Sequence, residues 1–354
     1  MKEIYVLHEY GAESHYNGLL ALCYENGIEL KFREFRVLHL IGSGIEHKNI
    51  KRIFKQIVNI LFLVSLIWSK GKIVVLGMHP YDKRLTILSF LLKRHKVFYH
   101  TSFTMWNPLD TIKYKNVTES QEKRLERFLN EQVRHIFAVT KKAKNSIIEN
   151  TNYPANKITV VYHSYLVNLE PSKEKPAVDS YIYVGRMDWD KGIKEICEYF
   201  GTHPDRELTM IGAGDNLSYV KKMADKYTNI SYIGYIKGIS KLMPYYQKSA
   251  YFILNSKRTK EWEELFGQVL IESMSCGCVP IAVEHSGPKE IIKHNVNGFL
   301  FKEGELSLML DIVHDIDCMA YSQIRNAALH RGHEFKSSNI AKYWKPIIEI
   351  CKEK

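Results

Sequence analysis

Between residues 181 and 283, short apolar runs alternate with amphipathic stretches, and this alternation limits the fold more than anything else in the chain. Runs at 181–184, 208–211, 230–233, 251–254 and 279–283 read as buried strands. Helical patterns over 193–200, 219–227, 239–248 and 267–274 lie between them. Strand–helix alternation with short glycine-containing turns predicts a parallel, doubly wound α/β sheet. The first half repeats the theme less regularly, with strands fitting 4–7, 73–76, 97–100, 136–139 and 158–161. A length of 354 residues suits two such domains. The polar stretch around Pro171 and Pro176 reads as the join. The expected organisation is therefore a Rossmann-like domain over 1–168, a linker over 169–178 and a second Rossmann-like domain over 179–336. In open α/β sheets ligands sit beyond the carboxyl ends of the strands, so two facing domains imply a cleft.

Composition narrows the function class. The six cysteines are scattered, with no Cys-x2-Cys pair and no Cys/His cluster at zinc spacing. Cys276-Gly277-Cys278 is too tight for a structural zinc site and reads as small residues packing behind a helix. Free thiols suggest a reducing cytoplasm. Met1 leads directly into an apolar strand pattern, which predicts no secretory signal. The apolar run 57–68, interrupted by Asn59 and Ser65, is short of the ~20 residues that span a bilayer, so a buried or interfacial helix is expected. Charge is uneven: residues 1–170 hold 25 Lys/Arg against 15 Asp/Glu, while 171–354 hold 25 against 24. Lys48, Lys51, Arg52, Lys55, Lys70 and Lys72 bracket the apolar run. Such a surface suits anionic lipid, nucleic acid or plain solvation. No helix-turn-helix, zinc or aromatic RNA-binding motif accompanies it, so nucleic acid is not expected as a partner.

Chemistry concentrates between residues 185 and 300. Glu264 and Glu272 stand eight positions apart, slightly more than two helical turns, so a helix brings them near one face. Gly267 falls where that helix begins, and the N–H groups of a helix start attract anions. Leu265, Phe266 and Gly267 thus offer backbone donors flanked by carboxylates. Arg186 and Lys191 follow the strand 181–184, where fixed cations would meet phosphate charge. Gly212-Ala213-Gly214 follows the strand 208–211; alone, Gly-x-Gly marks no more than a tight turn.

In series, these segments resemble the retaining GT-B glycosyltransferases, family 4-like (glycosyl transferases group 1). Four motifs carry the resemblance: Gly185, Arg186, Lys191 and Gly192; Glu264, Phe266, Gly267 and Glu272; Gly287, Pro288 and Glu290; Asn297, Gly298, Phe299 and Leu300. The resemblance implies GT-B architecture, with a nucleotide-sugar held mainly by the second domain and the acceptor by the first. It implies that Arg186 and Lys191 bind the diphosphate, Glu264 holds donor-sugar hydroxyls and Glu272 holds the ribose diol. Gly185, Gly212 and Gly214 would lie near the nucleotide, Tyr235 and Ile236 near the base. Gly11 would face the donor phosphates or acceptor, and His100 would touch the donor sugar. It also implies a C-terminal segment, 337–354, that crosses back to the first domain. His163-Ser164 and Asn255 depart from the family pattern. Asp188-Trp189-Asp190 has the spacing of a metal motif but lies inside the Gly-Arg-x4-Lys segment and reads as a loop, so no metal and no other cofactor is expected.

The resemblance implies a hexosyltransferase acting with retention. The basic first half favours a polyprenyl-diphosphate-linked glycan as acceptor, in bacterial surface polysaccharide synthesis. That places the enzyme in the cytoplasm, peripheral on the inner membrane; a soluble carbohydrate acceptor remains open. A noncatalytic partner subunit would keep the fold while losing the charged residues, which this chain retains. A nicotinamide-dependent oxidoreductase would need Gly-x-Gly-x-x-Gly after the first strand, and it is absent.

Overall fold

Parallel pairing governs both halves of the chain in the computed structural model, which describes residues 3–108, 117–174, 176–259 and 263–352. Lys175 of the expected linker lies outside these. The first sheet has six strands: β1 (Glu3–His8), β2 (Glu29–Glu34), β3 (Ile73–Gly77), β4 (Lys96–Thr101), β5 (Val133–Ala138) and β6 (Ile158–Val160), in the order β2-β1-β3-β4-β5-β6. Its helices are α1 (Asn17–Glu25), α2 (Val37–Glu46), α3 (Ile50–Trp68), α4 (Leu85–Leu92), α5 (Glu119–Gln132) and α6 (Lys141–Asn150). β3 is buried along its whole length, as a strand covered on both faces must be. β2, with the sequence Glu-Leu-Lys-Phe-Arg-Glu, is the edge strand and is mostly half-buried. Its alternating charges hid it from a search for apolar runs.

The second sheet contains β7 (Ala177–Val184), β8 (Glu207–Ile211), β9 (Ile230–Gly234), β10 (Ser249–Leu254), β11 (Val279–Val283) and β12 (Phe299–Phe301), in the order β12-β11-β10-β7-β8-β9. α7 (Ile193–Thr202), α8 (Leu217–Lys226), α9 (Ile239–Lys248), α10 (Gln268–Ser275), α11 (Ser286–Ile291), α12 (Leu306–His314) and α13 (Cys318–Glu334) complete it. α13 starts where Asp317 accepts hydrogen bonds from the N–H groups of Met319 and Ala320, at 2.8 and 2.9 Å. The order reverses between β7 and β10, and this is the switch point where ligands of such sheets bind. Among the described residues, no helix is long and apolar enough to cross a membrane.

The chain divides into residues 1–164 with 337–354, and residues 165–336. The first boundary lies upstream of the expected linker at 169–178. Tyr165 already belongs to the second unit, donating from its N–H to Phe335 O at 3.3 Å and from its hydroxyl to Gly332 O at 3.3 Å. Leu169 is buried, and β7 begins at Ala177. Prolines and charge mark an exposed stretch, which need not coincide with the point where core contacts change hands. Residues 337–352 form two short helices, α14 (Ser337–Ala341) and α15 (Pro346–Lys352), joined by a 3-10 turn at Lys342–Trp344.

This last segment is structural in the first unit. Trp344 is fully buried, with its ring 4.4 Å from Phe137, 5.5 Å from His100 and 6.2 Å from Tyr16, centroid to centroid. Gly18 of α1 lets Ile340 and Trp344 approach; a Cβ there would lie 2.8 Å from Ile340 Cγ2. Trp344→Ala removes a buried indole and leaves a cavity, which costs about 3–5 kcal/mol. The urea transition of the first unit is expected to move to lower denaturant while that of the second unit stays in place, read by limited proteolysis along the titration.

Candidate active site

Close backbone approaches gather the carboxyl-end loops of the second sheet. Gly185 N donates to Ile211 O and Gly212 N to Gly234 O, both at 3.0 Å. Met187 N donates to Ala213 O at 3.0 Å and Asn216 N to Met187 O at 2.8 Å. Gly212 has φ +150°, and a Cβ there would sit 1.8 Å from Gly185 O, so no side chain fits without parting the two loops. Gly287 lies against the Phe266 backbone, 2.4 Å from where its own Cβ would be, and donates from its N–H to Glu264 O at 3.0 Å. The loops after β7, β8, β10 and β11 therefore form one cross-braced group at the switch point.

The charged residues sit on that group. Lys191 closes a 3-10 turn, Trp189–Lys191, and Gly192 follows at φ 67° as a left-handed entry to α7. Asn255 Nδ2 holds this turn from β10, donating to Gly192 O at 3.2 Å. Lys191 Nζ lies 3.3 Å from Ser256 Oγ and 3.4 Å from Glu264 Oε2, and Ser256 Oγ is 3.3 Å from the same carboxylate oxygen. These contacts are long, near the outer limit of hydrogen bonding, so the trio is drawn together mainly by charge. Burial pushes the Lys191 ammonium below its ordinary value, and the Glu264 carboxylate opposes the shift. A cation held this way gains from any anion that enters.

Arg186 has a different setting from the one expected. Its guanidinium is exposed and ion-paired to Asp188 and to Asp190, the latter at 3.0 Å. The Asp-Trp-Asp segment thus clamps the arginine, and reading it as a plain loop missed this role. Asp188 also accepts from Asp215 N at 2.9 Å, tying the clamp to the Gly212–Gly214 turn. A Cβ at Gly214 would meet Asp188 Oδ1 at 2.4 Å.

α10 begins at Gln268, after Gly267 at φ 89°, and no side chain caps its first turn. Phe266 is buried edge-on against Phe335, while Leu265 is half-buried. Glu264 N donates to His285 Nδ1 at 3.2 Å, and His285 Nε2 lies 2.7 Å from Glu303. This His285–Glu303 support of Glu264 was not recognised in the sequence. The available signal was position: His285 follows β11 as the other site residues follow their strands. Glu272 lies within α10, accepts from Gln268 Nε2 at 3.2 Å, and has its carboxyl pushed up to about 7 by burial. Ile236, beside exposed Tyr235, follows β9 and is half-buried.

Gly11 and His100 belong to the first unit. Gly11 turns the chain after β1 at φ 92°, and a Cβ there would meet Glu34 Oε1 at 3.0 Å. His100 is next to last in β4 and is in register with Gly77, which is in register with His8. Its ring is buried against Tyr16 at 4.7 Å, and desolvation holds it neutral, well below the usual histidine range. His100 Nε2 has no hydrogen-bond partner among the described residues. The His15 ring lies 4.3 Å from that of His163, so the sequence departure at 163 is a packed histidine pair.

Residues 169–315 match the family model described as Glycosyl transferases group 1, a span that contains Arg186, Lys191, Glu264 and Glu272. The chain is 23% identical over 226 residues to the O-antigen biosynthesis glycosyltransferase WbnH of Escherichia coli, covering 63% of this chain and 62% of that one. Alignments to three of the curated relatives take in 41–62% of their length. Among solved structures, the glycosyltransferase from Rickettsia africae ESF-5 superposes with a TM-score of 0.70 at 18% identity, covering 100% of this chain and 99% of that one. Anabaena Alr3699/HepE in complex with UDP-glucose gives 0.66 at 15% identity, with 100% of both chains covered. At these identities the likeness establishes the fold, which is GT-B.

The Glu272 carboxyl makes stability depend on pH. Below its unfolded value of 4.5 it is protonated in both states. Between 4.5 and about 7 only the unfolded chain ionises, so stability falls as pH rises; above about 7 the loss is complete. Glu272→Gln is expected to remove this slope and to stabilise the second unit at pH 8 by about 1–3 kcal/mol. Urea melts of both proteins at pH 5 and pH 8 check it.

Proposed function

We propose, from the match of residues 169–315 to the group 1 glycosyltransferase model, that the chain transfers a sugar from a nucleoside-diphosphate sugar to a glycan acceptor. The observation that carries this reading is the Lys191–Glu264–Ser256 trio at the switch point of the second sheet. A half-buried ammonium beside a carboxylate suits a ligand with a diphosphate next to a polyol. Lys191, with Arg186 at its side, neutralises charge on the departing diphosphate. The first turn of α10, preceded by Leu265, Phe266 and Gly267, presents backbone N–H groups, while the brace at Gly185, Gly212 and Gly214 brings the loops near the nucleotide. Glu264 accepts from donor-sugar hydroxyls, Glu272 accepts both ribose hydroxyls when ionised, and Ile236 lies toward the base. In the first unit, neutral His100 offers a ring nitrogen for a sugar hydroxyl.

The reaction we favour proceeds with retention and without a metal. The bond from the anomeric carbon to the diphosphate oxygen breaks, the acceptor oxygen bonds the same face of that carbon, and its proton passes to the departing phosphate oxygen. Glu264, engaged with Lys191 and Ser256, serves as a hydroxyl acceptor and not as a nucleophile. The acceptor is a polyprenyl-diphosphate-linked glycan in surface polysaccharide synthesis, met at the cytoplasmic face of the membrane. Support for this comes from the basic first half and from the likeness to the O-antigen biosynthesis glycosyltransferase WbnH of Escherichia coli.

Thermal melts in EDTA with UDP, GDP, ADP and dTDP test the donor site. One nucleoside diphosphate is expected to raise the melting temperature of the wild type, as mass action requires of a native-state ligand. Lys191→Ala is expected to abolish that shift, and Lys191→Ala and Glu264→Ala to lower turnover by roughly 10²–10³-fold with the fold intact. Equal stabilisation of wild type and Lys191→Ala would remove Lys191 from the site.

A further inference from the structure

We propose that the outer face of α2, α3 and α4 in the first unit is a membrane-docking surface that lies in the headgroup region of an anionic lipid bilayer. This deepens the lipid-linked acceptor reading and rests on it for its use, but the surface is argued from the helices themselves.

α3 turns an apolar stripe outward and, beside buried Phe62 and Leu66, two polar side chains inward. Toward the protein it buries Gln56 and Asn59, both 1% exposed, whose amide groups donate to the Glu34 carboxylate at 2.6 and 3.2 Å. Toward solvent it turns Ile50, Phe54, Ile57, Leu61, Val64 and Trp68, at successive spacings of four and three residues. That spacing keeps them in one stripe along a helix about 28 Å long. Phe54 is 67% exposed, Leu61 63% and Trp68 75%. Contiguous apolar patches of this kind mark interaction sites. α3 packs between α2 and α4, which extend the face with Leu38, Ile45, Ile87 and Phe90. An open groove of about 370 Å³ runs between α2 and α4, walled by Phe35, Leu38, Leu63, Ile87 and Leu91 together with Arg36 and Arg84. It has the apolar lining an acyl chain needs.

Charge selects the occupant. From residue 47 to residue 81 the chain has no Asp or Glu, and Lys48, Lys51, Arg52, Lys70 and Lys72 stand at the two ends of α3, while Lys55 is paired with Glu34 at 2.9 Å. An apolar stripe with cations at its ends and an indole at one end matches a helix lying flat in a leaflet, its lysine stems reaching back to lipid phosphates. A second copy of this chain would bring the same cations against one another across a two-fold interface, which disfavours self-pairing.

Cosedimentation of the full chain with vesicles tests the surface. Binding is expected to phosphatidylcholine vesicles containing about one-third phosphatidylglycerol, to weaken in high salt, and to be weak on phosphatidylcholine alone. The double variant Phe54→Glu/Leu61→Glu, at exposed positions, is expected to bind the anionic vesicles about ten-fold less tightly. Its melting temperature and its nucleoside-diphosphate shift should match wild type. Nucleotide stabilisation absent from both proteins, with vesicle binding still sensitive to the variant, would sink the donor reading and leave this surface standing. No binding to either vesicle overturns the proposal, as does binding that the double variant leaves unchanged. Self-association abolished by the same variant, without vesicle binding, overturns it in favour of a second copy as the occupant.

Discussion

Backbone contact without intervening side chains is the constraint on which the second unit's site depends. Gly212 touches the carbonyl of Gly185, and Gly287 touches the backbone of Phe266. Each contact brings loops from different strands closer than any Cβ would allow. Lys191 is placed by the first brace, Glu264 by the second, and the gap between their side chains follows from both. Ordinary parallel-sheet geometry would leave these loops separated by the spacing of the strands that carry them. The glycines convert a row of loop ends into a single surface, with hydrogen bonds such as Met187 N to Ala213 O fixing its shape.

Charge within that surface is held out of balance. Burial lowers the proton affinity of Lys191 and raises that of Glu272, so each is displaced in the direction that weakens its own charge. The Lys191–Glu264 contact is 3.4 Å, and Glu272 accepts from the Gln268 amide at 3.2 Å. Arg186 is already matched by two carboxylates, so its contribution to anion binding is reduced by the clamp that orients it.

The strands of the second sheet were legible because burial on both faces writes a continuous apolar run, as in β10 and β11. The order and spacing of Gly185, Lys191, Glu264 and Gly267 likewise identified the site, since chemistry on loops must be spelled out in residue type. β2 was illegible for the converse reason: an edge strand buried on one side keeps its charges. The His285 support acts across loops distant in sequence, where no local pattern records the pairing, whereas the Asp188 and Asp190 clamp lies within five residues of chain and was overlooked because the segment was read as a plain loop. For α3, the apolar residues predicted a buried or interfacial helix, and only the structure reveals that Gln56 and Asn59 face inward. The boundary at residue 164 escaped because it is set by what Tyr165 touches, not by composition.

The return of residues 337–352 to the first unit also has a consequence for biosynthesis. The second unit is one continuous stretch and can close as soon as it leaves the ribosome. The first unit cannot, because Trp344, which fills its core beside Phe137 and Tyr16, emerges only after residues 165–336. At about 5–20 residues per second, that delay is roughly ten to thirty seconds. During this interval the α1 surface that receives Ile340 and Trp344 has nothing to cover it. The half of the protein that is made first is thus the half completed last, and its nascent form is the one that most needs shelter from aggregation.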